Sequence, residues 1–496
     1  MVCTVDCLSS YGCNELVLPQ DGAVYSPFVE LRFTTVSVNS SGGRSFSTQI
    51  LTVGNSSSPP DNHAAIKSFE YGFTTGLGIG FNVEVLDEGG ITYRRILEAI
   101  NKTVSLALDD ARRCSVRFGW VIKRCDGSHT LVTNEDSGDK LFFLPNTMQT
   151  QFENGLIKIK FEGTSMVHRW AETRLTKTLG SQKNKMRLKQ ALRTLFTEYD
   201  PKVKDVLFRN KDGGELCFPN SDGGCDGPMG VWPMDQQNAP AIARKWLTAL
   251  MTKGQLGILM LYDPTGPYVV FQENPDTTDC CKNNIGTYIV NGGNCSPVLS
   301  FNPSMNWAKG LVPAGGRSAP GASSGNSKEK VEPDRPIERV GTQTGPTVQQ
   351  HELMWRMPDE MAEKNTDTIA KHLEANSKYE ALPNMQAELR IIGRPDLGDP
   401  MKLVGKTISI VVINPFYIST QNCSWITTSN CNRVLSNKKW YITAVNHQIN
   451  SGSYVTTIKV QLNVPNVTAN AADPLGGVGC GTETFANSLP GEPNGT

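Results

Sequence analysis

The chain has 496 residues, enough for two to four domains that each bury a core, and is 38% hydrophobic and 19% charged. Lys plus Arg equals Asp plus Glu at 48 each, so no overall field draws the protein to nucleic acid or an anionic membrane. No apolar run approaches the roughly 20 residues that cross a bilayer, and residues 1–19 have neither the basic start nor the apolar stretch of a Sec-type export signal.

A Cys-rich leader occupies residues 1–22. Only Cys3, Cys7 and Cys13 approach zinc-ligand spacing, and no metal is expected. Of the 13 cysteines, Cys217/Cys225, Cys280 and Cys281/Cys295, and Cys423/Cys431 stand close in sequence. Free thiols are the expectation for a chain made in cytoplasm, although bridges closing such short loops are sterically possible in oxidising surroundings.

Residues 23–165 read as a β-rich domain with one amphipathic helix. Residues 29–37 and 45–53 alternate and are parted by Gly42 and Gly43, which predicts a hairpin. Further strands are expected at 65–71, 81–86, 116–123 and 157–161. Between them Ile96, Ile100, Val104 and Leu108 recur every four residues with Leu97 alongside, the stripe of a helix of about 20 residues.

Residues 166–308 read as a middle α/β domain. Leu188, Leu192, Leu195 and Phe196 form one helical face, and a second helix around Pro240 carries Ile242, Trp246, Leu247 and Leu250. Strands at 256–262 and 268–272 flank the turn Asp263-Pro264-Thr265-Gly266. Arg174, Lys177, Lys183, Lys185, Arg187, Lys189 and Arg193 are uninterrupted by any acidic residue. Such a run is either a solvated helix face or a surface turned to DNA or an acidic partner.

Residues 309–346 have the Gly, Ser, Pro and charge content of a flexible linker or exposed loop, and 347–386 a polar helical connector broken at Pro358 and Pro383. A β domain follows at 387–465. Its strands run over 408–413, 440–449 and 454–462, with 450–453 as a hairpin turn. Composition predicts a loosely held tail over 466–496. The fold class is therefore α+β, mainly β, in several domains with helical insertions.

Catalytic signatures fail at residues their chemistry requires. Gly405-Lys406-Thr407 lacks the earlier glycine of a phosphate loop, whose place is Pro400, and leads into a strand. His351-Glu352 would begin a zinc-protease helix, but Trp355 stands where the second histidine must be. Gly321-Ala322-Ser323-Ser324-Gly325 matches a nucleophile elbow only within low-complexity sequence. Asp87-Glu88 and Asp109-Asp110 read as a turn and a helix end, and the six histidines share no acid, base or nucleophile spacing. The expectation is a non-enzymatic chain with no cofactor.

The most telling segments are 388–395, with Arg390-Ile391-Ile392-Gly393-Arg394-Pro395, then 405–410, then Trp440-Tyr441-Ile442-Thr443-Ala444-Val445-Asn446-His447, then Ser453-Tyr454-Val455-Thr456. Together they resemble the last domain of phage baseplate hub and late-control-type tail proteins. Weaker likenesses to tail-hub proteins lie at 68–73, 83–90 and Phe118-Gly119-Trp120. The resemblance implies a homotrimeric ring with two β-barrel-like tube domains per subunit, adapting a hexameric tail tube to a trimeric spike. It further implies baseplate wedge proteins around the ring, DNA and tape-measure protein passing through its lumen, and a place in the virion tail. A distal tail protein, a baseplate wedge or a tail-associated cell-wall hydrolase are the alternatives. Lys183, Lys185, Arg187, Lys189 and Arg193 are candidate interaction residues. His447 and Tyr454 are candidate structural ones, His447 being expected on one strand face with Tyr441, Thr443, Val445 and Ile449, hydrogen-bonded rather than catalytic.

Overall fold

A computed structural model describes most of residues 24–305 and 384–463, together with residues 314–318, 338–340 and 355–357. The protein is mainly β. In chain order the first group of strands is β1 (Val24–Val38), β2 (Arg44–Leu51), β3 (Ala64–Thr74), β4 (Gly78–Asp87), β5 (Arg113–Lys123), β6 (His129–Thr133), β7 (Leu141–Glu153) and β8 (Leu156–Thr164). The middle segment holds β9 (Thr178–Leu179), β10 (Met186–Arg187), α1 (Leu188–Tyr199), β11 (Asp205–Arg209), β12 (Met229–Gly230), β13 (Trp232–Pro233), α2 (Ala239–Thr248), β14 (Leu259–Tyr262) and β15 (Tyr268–Gln272). After it come β16 (Asn284–Val290), β17 (Val298–Met305), β18 (Ala314–Ser318), β19 (Glu338–Val340), β20 (Trp355–Met357), β21 (Asn384–Ile392), a 3₁₀ turn (Pro395–Gly398), α3 (Pro400–Leu403), β22 (Thr407–Val412), β23 (Asn437–Asn450) and β24 (Ser453–Asn463).

One sheet of 14 strands unites both ends of the chain, in the order β17-β21-β24-β23-β3-β4-β8-β7-β5-β1-β2 with β16, β22 and β6 at its sides. The junction is the antiparallel pair β3 and β23, in which Tyr71 lies opposite His447. Residues 23–165 and 387–465 thus contribute to a single pleated body. Its core takes Phe69, Tyr71, Phe73, Phe81, Val83 and Val85 from the first segment, and Leu389, Ile391, Trp440, Val445, Ile449 and Ile458 from the last. Period-two alternation sends these side chains to one face, as in β4, where Phe81, Val83 and Val85 are buried and the residues between them half-exposed. The ladder among the described residues stays open, ending at β17 and β2, so the barrel-like domains expected from the sequence are not found there as closed barrels. Phe118 on β5 stands five strands from β23 along the ladder, yet its ring lies 4.9 Å from that of His447.

A second core belongs to residues 175–272. There α1 and α2 cover the mixed sheet β14-β15-β11, burying Leu188, Leu192, Leu195, Phe196, Ile242, Trp246 and Phe271. Both expected helices are present. Asn238 starts α2 by accepting from the Ala241 amide at 2.9 Å, with Pro240 in the first turn, where a missing N–H costs nothing. Strands β16 and β17 lie within 166–308 by sequence but pair with β22 and β21, in the large sheet.

Other expectations shift. Within 309–346, read as linker, β18 and β19 pair with each other, and β18 also pairs with β20, which falls in the segment read as helical connector. Residues 91–94, 97 and 98 are helical, whereas Ile96, Ile100, Val104 and Leu108 of the apolar stripe lie outside the described residues. So do the leader, the tail and most of 347–383. Among the described residues no helix is long and apolar enough to cross a membrane.

Gly119 sits where β5 meets β6, and a Cβ built there would lie 1.9 Å from the Val132 carbonyl oxygen. Backbone cannot yield as a side-chain tip can. Gly119→Ala is expected to lower the stability of the large sheet by at least ~2 kcal/mol, read from the urea midpoint.

Candidate functional site

His447 and Tyr454, taken from the sequence as structural candidates, meet in one buried cluster with residues of β3, β5 and the turn that follows β21. The sheet register sets it up: Ile391, Thr456, His447, Tyr71, Phe81 and Gly163 stand side by side across β21, β24, β23, β3, β4 and β8. Inside this row runs the turn 393–398, Gly393-Arg394-Pro395-Asp396-Leu397-Gly398, which is held from every side. The Tyr71 hydroxyl donates to the Gly398 carbonyl at 2.6 Å, the Trp120 indole to the Gly393 carbonyl at 2.9 Å, and the Gly393 amide to the Tyr454 carbonyl at 2.9 Å. The Arg394 amide donates to Thr456 Oγ1 at 2.9 Å, and the nearly buried Arg394 side chain grips Asp396 through two parallel bonds. Gly393 is required here. A Cβ on it would lie 2.2 Å from the Tyr454 ring.

His447 is fully buried, with Nε2 at 3.1 Å from the Leu397 carbonyl and Nδ1 at 2.9 Å from Tyr454 Oη and 3.1 Å from Thr456 Oγ1. A carbonyl can only accept, so Nε2 carries the proton and Nδ1 accepts from the hydroxyls. Burial drives the imidazole down to about pKa 4 against the pull of the Leu397 carbonyl and Asp396, and it is neutral at physiological pH. Desolvation likewise pushes the Tyr71 and Tyr454 hydroxyls well above their ordinary range, which keeps both as donors. Rings complete the cluster: Phe118 lies 5.0 Å from Tyr71 and 4.9 Å from His447, and Trp120 lies 5.2 Å from Tyr454. Both ring nitrogens are engaged in this buried network, so His447 ties β23 to β24 and to the turn 393–398.

The alternation expected along this strand is broken once. Thr443 is an extra residue between the Ile442–Val460 and Ala444–Lys459 pairs, and this bulge flips the face. Trp440 and Ile442 point inward before it, Val445, His447 and Ile449 after it, so Tyr441 and Thr443 do not share the face of His447. Sequence reading also missed Trp120, Leu397 and Thr456 as partners of the cluster. Thr456 carried a local signal, two residues beyond Tyr454 on the same strand, and Trp120 one through its Phe118-Gly119-Trp120 triplet.

The basic candidates do not join this cluster; they belong to the middle unit. Lys189, in the first turn of α1, is 1% exposed, bonds Glu215 at 2.6 Å and lies over the Phe208 ring. Arg193 pairs with Asp205 at 3.3 Å and approaches the same ring, and Arg187 donates to the Gly227 carbonyl. Lys177 pairs with Glu198. Lys183 is exposed and Lys185 half-buried. The acidic partners come from outside the uninterrupted run, which is why the sequence alone shows a bare positive stretch. Glu215 is held below the usual carboxylate range by its bond to Lys189.

Cys217 and Cys225 are bridged, correcting the free-thiol expectation for this pair; the bonds from the Phe218 amide to the Cys225 carbonyl and from the Gly227 amide to the Phe218 carbonyl bring their backbones together. Cys114 is fully buried and keeps its thiol. Asp87 is buried and accepts from the Thr92 and Tyr93 amides at 3.2 and 2.8 Å, a helix cap in keeping with the turn expected there. Among the described residues no group of three or more His, Cys, Asp or Glu side chains is placed to hold a metal ion.

No protein-family model and no curated protein sequence matches the chain. Among solved structures it is similar to a tail protein from Neisseria meningitidis MC58, with 7% identity, a TM-score of 0.45, and 88% of this chain and 97% of that one covered. It is also similar to the 43 kDa tail protein of prophage MuSo2 from Shewanella oneidensis, at 11% identity and a TM-score of 0.41 over 88% and 98% of the two chains. A third likeness is to an E. coli component of the type VI secretion system described as structurally similar to the T4 bacteriophage tail proteins gp27 and gp5. That match has 8% identity, a TM-score of 0.37, and covers 82% and 74% of the two chains.

The depressed pKa of His447 fixes the sign of one pH effect. Below about pH 6.5 the unfolded chain protonates this ring while the folded one does not, so stability present above that pH is lost as pH falls towards 4. The loss across that window is on the order of 3 kcal/mol. Urea unfolding at pH 7.5 and 4.5 is expected to show a smaller difference in His447→Gln than in the parent. In the middle unit, Glu215→Gln strands a buried ammonium and lowers the thermal midpoint, whereas the double change Lys189→Met with Glu215→Gln restores most of it.

Proposed function

We propose that the chain is a structural component of a phage or phage-like tail and acts there as the baseplate hub, a homotrimeric ring that adapts a hexameric tail tube to a trimeric spike. The observation that carries this reading is the convergence of the resemblance motifs. Arg390 to Pro395, His447, Tyr454, the Tyr71 segment and the Phe118-Gly119-Trp120 triplet are far apart in sequence, yet they meet around one buried turn. Motifs that meet to lock a β body are framework motifs, and a framework is what a ring-forming adaptor requires.

Partners under this reading are the spike on one face, the tail tube on the other and baseplate wedge proteins around the rim, with tape-measure protein and DNA passing through the lumen. The protein takes its place in the virion tail. The work is geometric and non-enzymatic, supported by the roles found for the suggestive groups: His447 is sealed in a core and Asp87 caps a helix. Lys189 and Arg193 serve the packing of the middle unit, which leaves Lys183, exposed beside α1, as the basic residue best placed to face an anionic partner.

Light scattering of the purified chain, alone and mixed with the spike and tail-tube proteins made from the same genome, tests this directly. A trimer of about three times the 54.2 kDa chain mass, alone or only with the spike, is the expected result. A hexamer points instead to a tube-facing ring or wedge, and a monomer indifferent to both partners overturns the reading.

A further inference from the structure

The loop that carries the Cys217–Cys225 bridge does more than close on itself. The Leu188 amide donates to the Pro228 carbonyl at 3.2 Å and the Lys189 amide to the Asp226 carbonyl at 3.0 Å, so the far arm of the loop satisfies the first amides of α1. No acidic residue lies in that first turn, and a lysine there is set against the positive end of the helix dipole. The near arm supplies the compensation: Glu215, two residues before Cys217, covers the buried Lys189 ammonium. Gly227 closes against Leu188, where a Cβ would lie 2.7 Å from the Leu188 Cβ, and Arg187 donates to the Gly227 carbonyl. Both bridged cysteines are exposed to solvent.

The geometry points to a redox latch: the Cys217–Cys225 disulfide clamps two arms of one loop over the start of α1, and its reduction uncovers Lys189 and loosens the first turn of that helix without disturbing the large sheet. An external dithiol supplies the electrons. Its thiolate attacks one exposed sulfur, the S–S bond breaks, and its second thiol resolves the mixed disulfide. The dithiol leaves oxidised as a cyclic disulfide, and two cysteine thiols remain on the chain. Cys114, fully buried, stays out of the exchange. With the bridge open, the main-chain bonds from the Phe218 amide to the Cys225 carbonyl and from the Gly227 amide to the Phe218 carbonyl still join the arms, and water can replace them. The far arm can then lift from the start of α1 while main-chain bonds to β11 keep the Glu215 backbone in place, and the Lys189 ammonium meets solvent.

The test uses the full chain purified without reductant, with dithiothreitol as the dithiol. Iodoacetamide is expected to alkylate Cys217 and Cys225 only after reduction, and an amine-reactive N-hydroxysuccinimide ester to label Lys189 only then. Amide exchange at Leu188 and Lys189 is expected to rise about tenfold or more, while residues 445–449 keep their rate. The double variant Cys217→Ser with Cys225→Ser should show the fast exchange at all times. Alkylation of both cysteines before reduction overturns the proposal, as does unchanged exchange at Leu188 and Lys189 once the bridge is open. A rise spread equally through the large sheet also overturns it, since the bridge then acts as a general staple rather than a local latch.

Discussion

The architecture depends on the turn at residues 393–398 being swallowed whole by the sheet that produces it. A buried turn is costly because its amides and carbonyls lose water, and each needs a partner within the protein. Here the partners come from strands spread along the ladder: Trp120 from β5, Tyr71 from β3, His447 from β23, and Tyr454 and Thr456 from β24. The turn is therefore a tie between segments that the hydrogen-bonded ladder leaves five strands apart. It holds these strands near one another through bonds whose lengths and angles permit little slack.

The middle unit solves a different problem. It places a positively charged segment at the start of a helix, the end least suited to it, and balances that choice with acids from other parts of the same unit. Glu215 and Asp205 answer Lys189 and Arg193, and the Phe208 ring receives both cations on its face. Charge that looks like a binding surface in one dimension is largely internal wiring in three.

Much of the framework was legible in the sequence where local chemistry and tertiary burial agree. The alternations at β3, β4, β5, β8 and β24 were readable because one face of each strand meets the core, and α1 because Leu188, Leu192, Leu195 and Phe196 share a stripe. The hydrogen-bonded role of His447 was visible from its motif, but its partners were not, since a strand pattern says which face a residue takes and nothing of what crosses that face. Thr443 shows the limit within one strand. A single bulged residue inverts the alternation, and its neighbours are too similar in polarity to announce it. The ion pairs of the basic run and the small sheet β18-β19-β20 were hidden for a related reason, because their partners lie tens of residues away.

The pairing of β3 with β23 has a temporal side. Gly72 lies opposite Asn446, so hundreds of residues must leave the ribosome before β3 has its second neighbour. At about 5–20 residues per second this amounts to tens of seconds or more, during which Phe69, Tyr71 and Phe118 lack the strands that cover them in the finished molecule. Nascent chains of this protein therefore pass through a long interval with an open strand edge and an uncovered aromatic face, held in check by whatever the first half can bury alone.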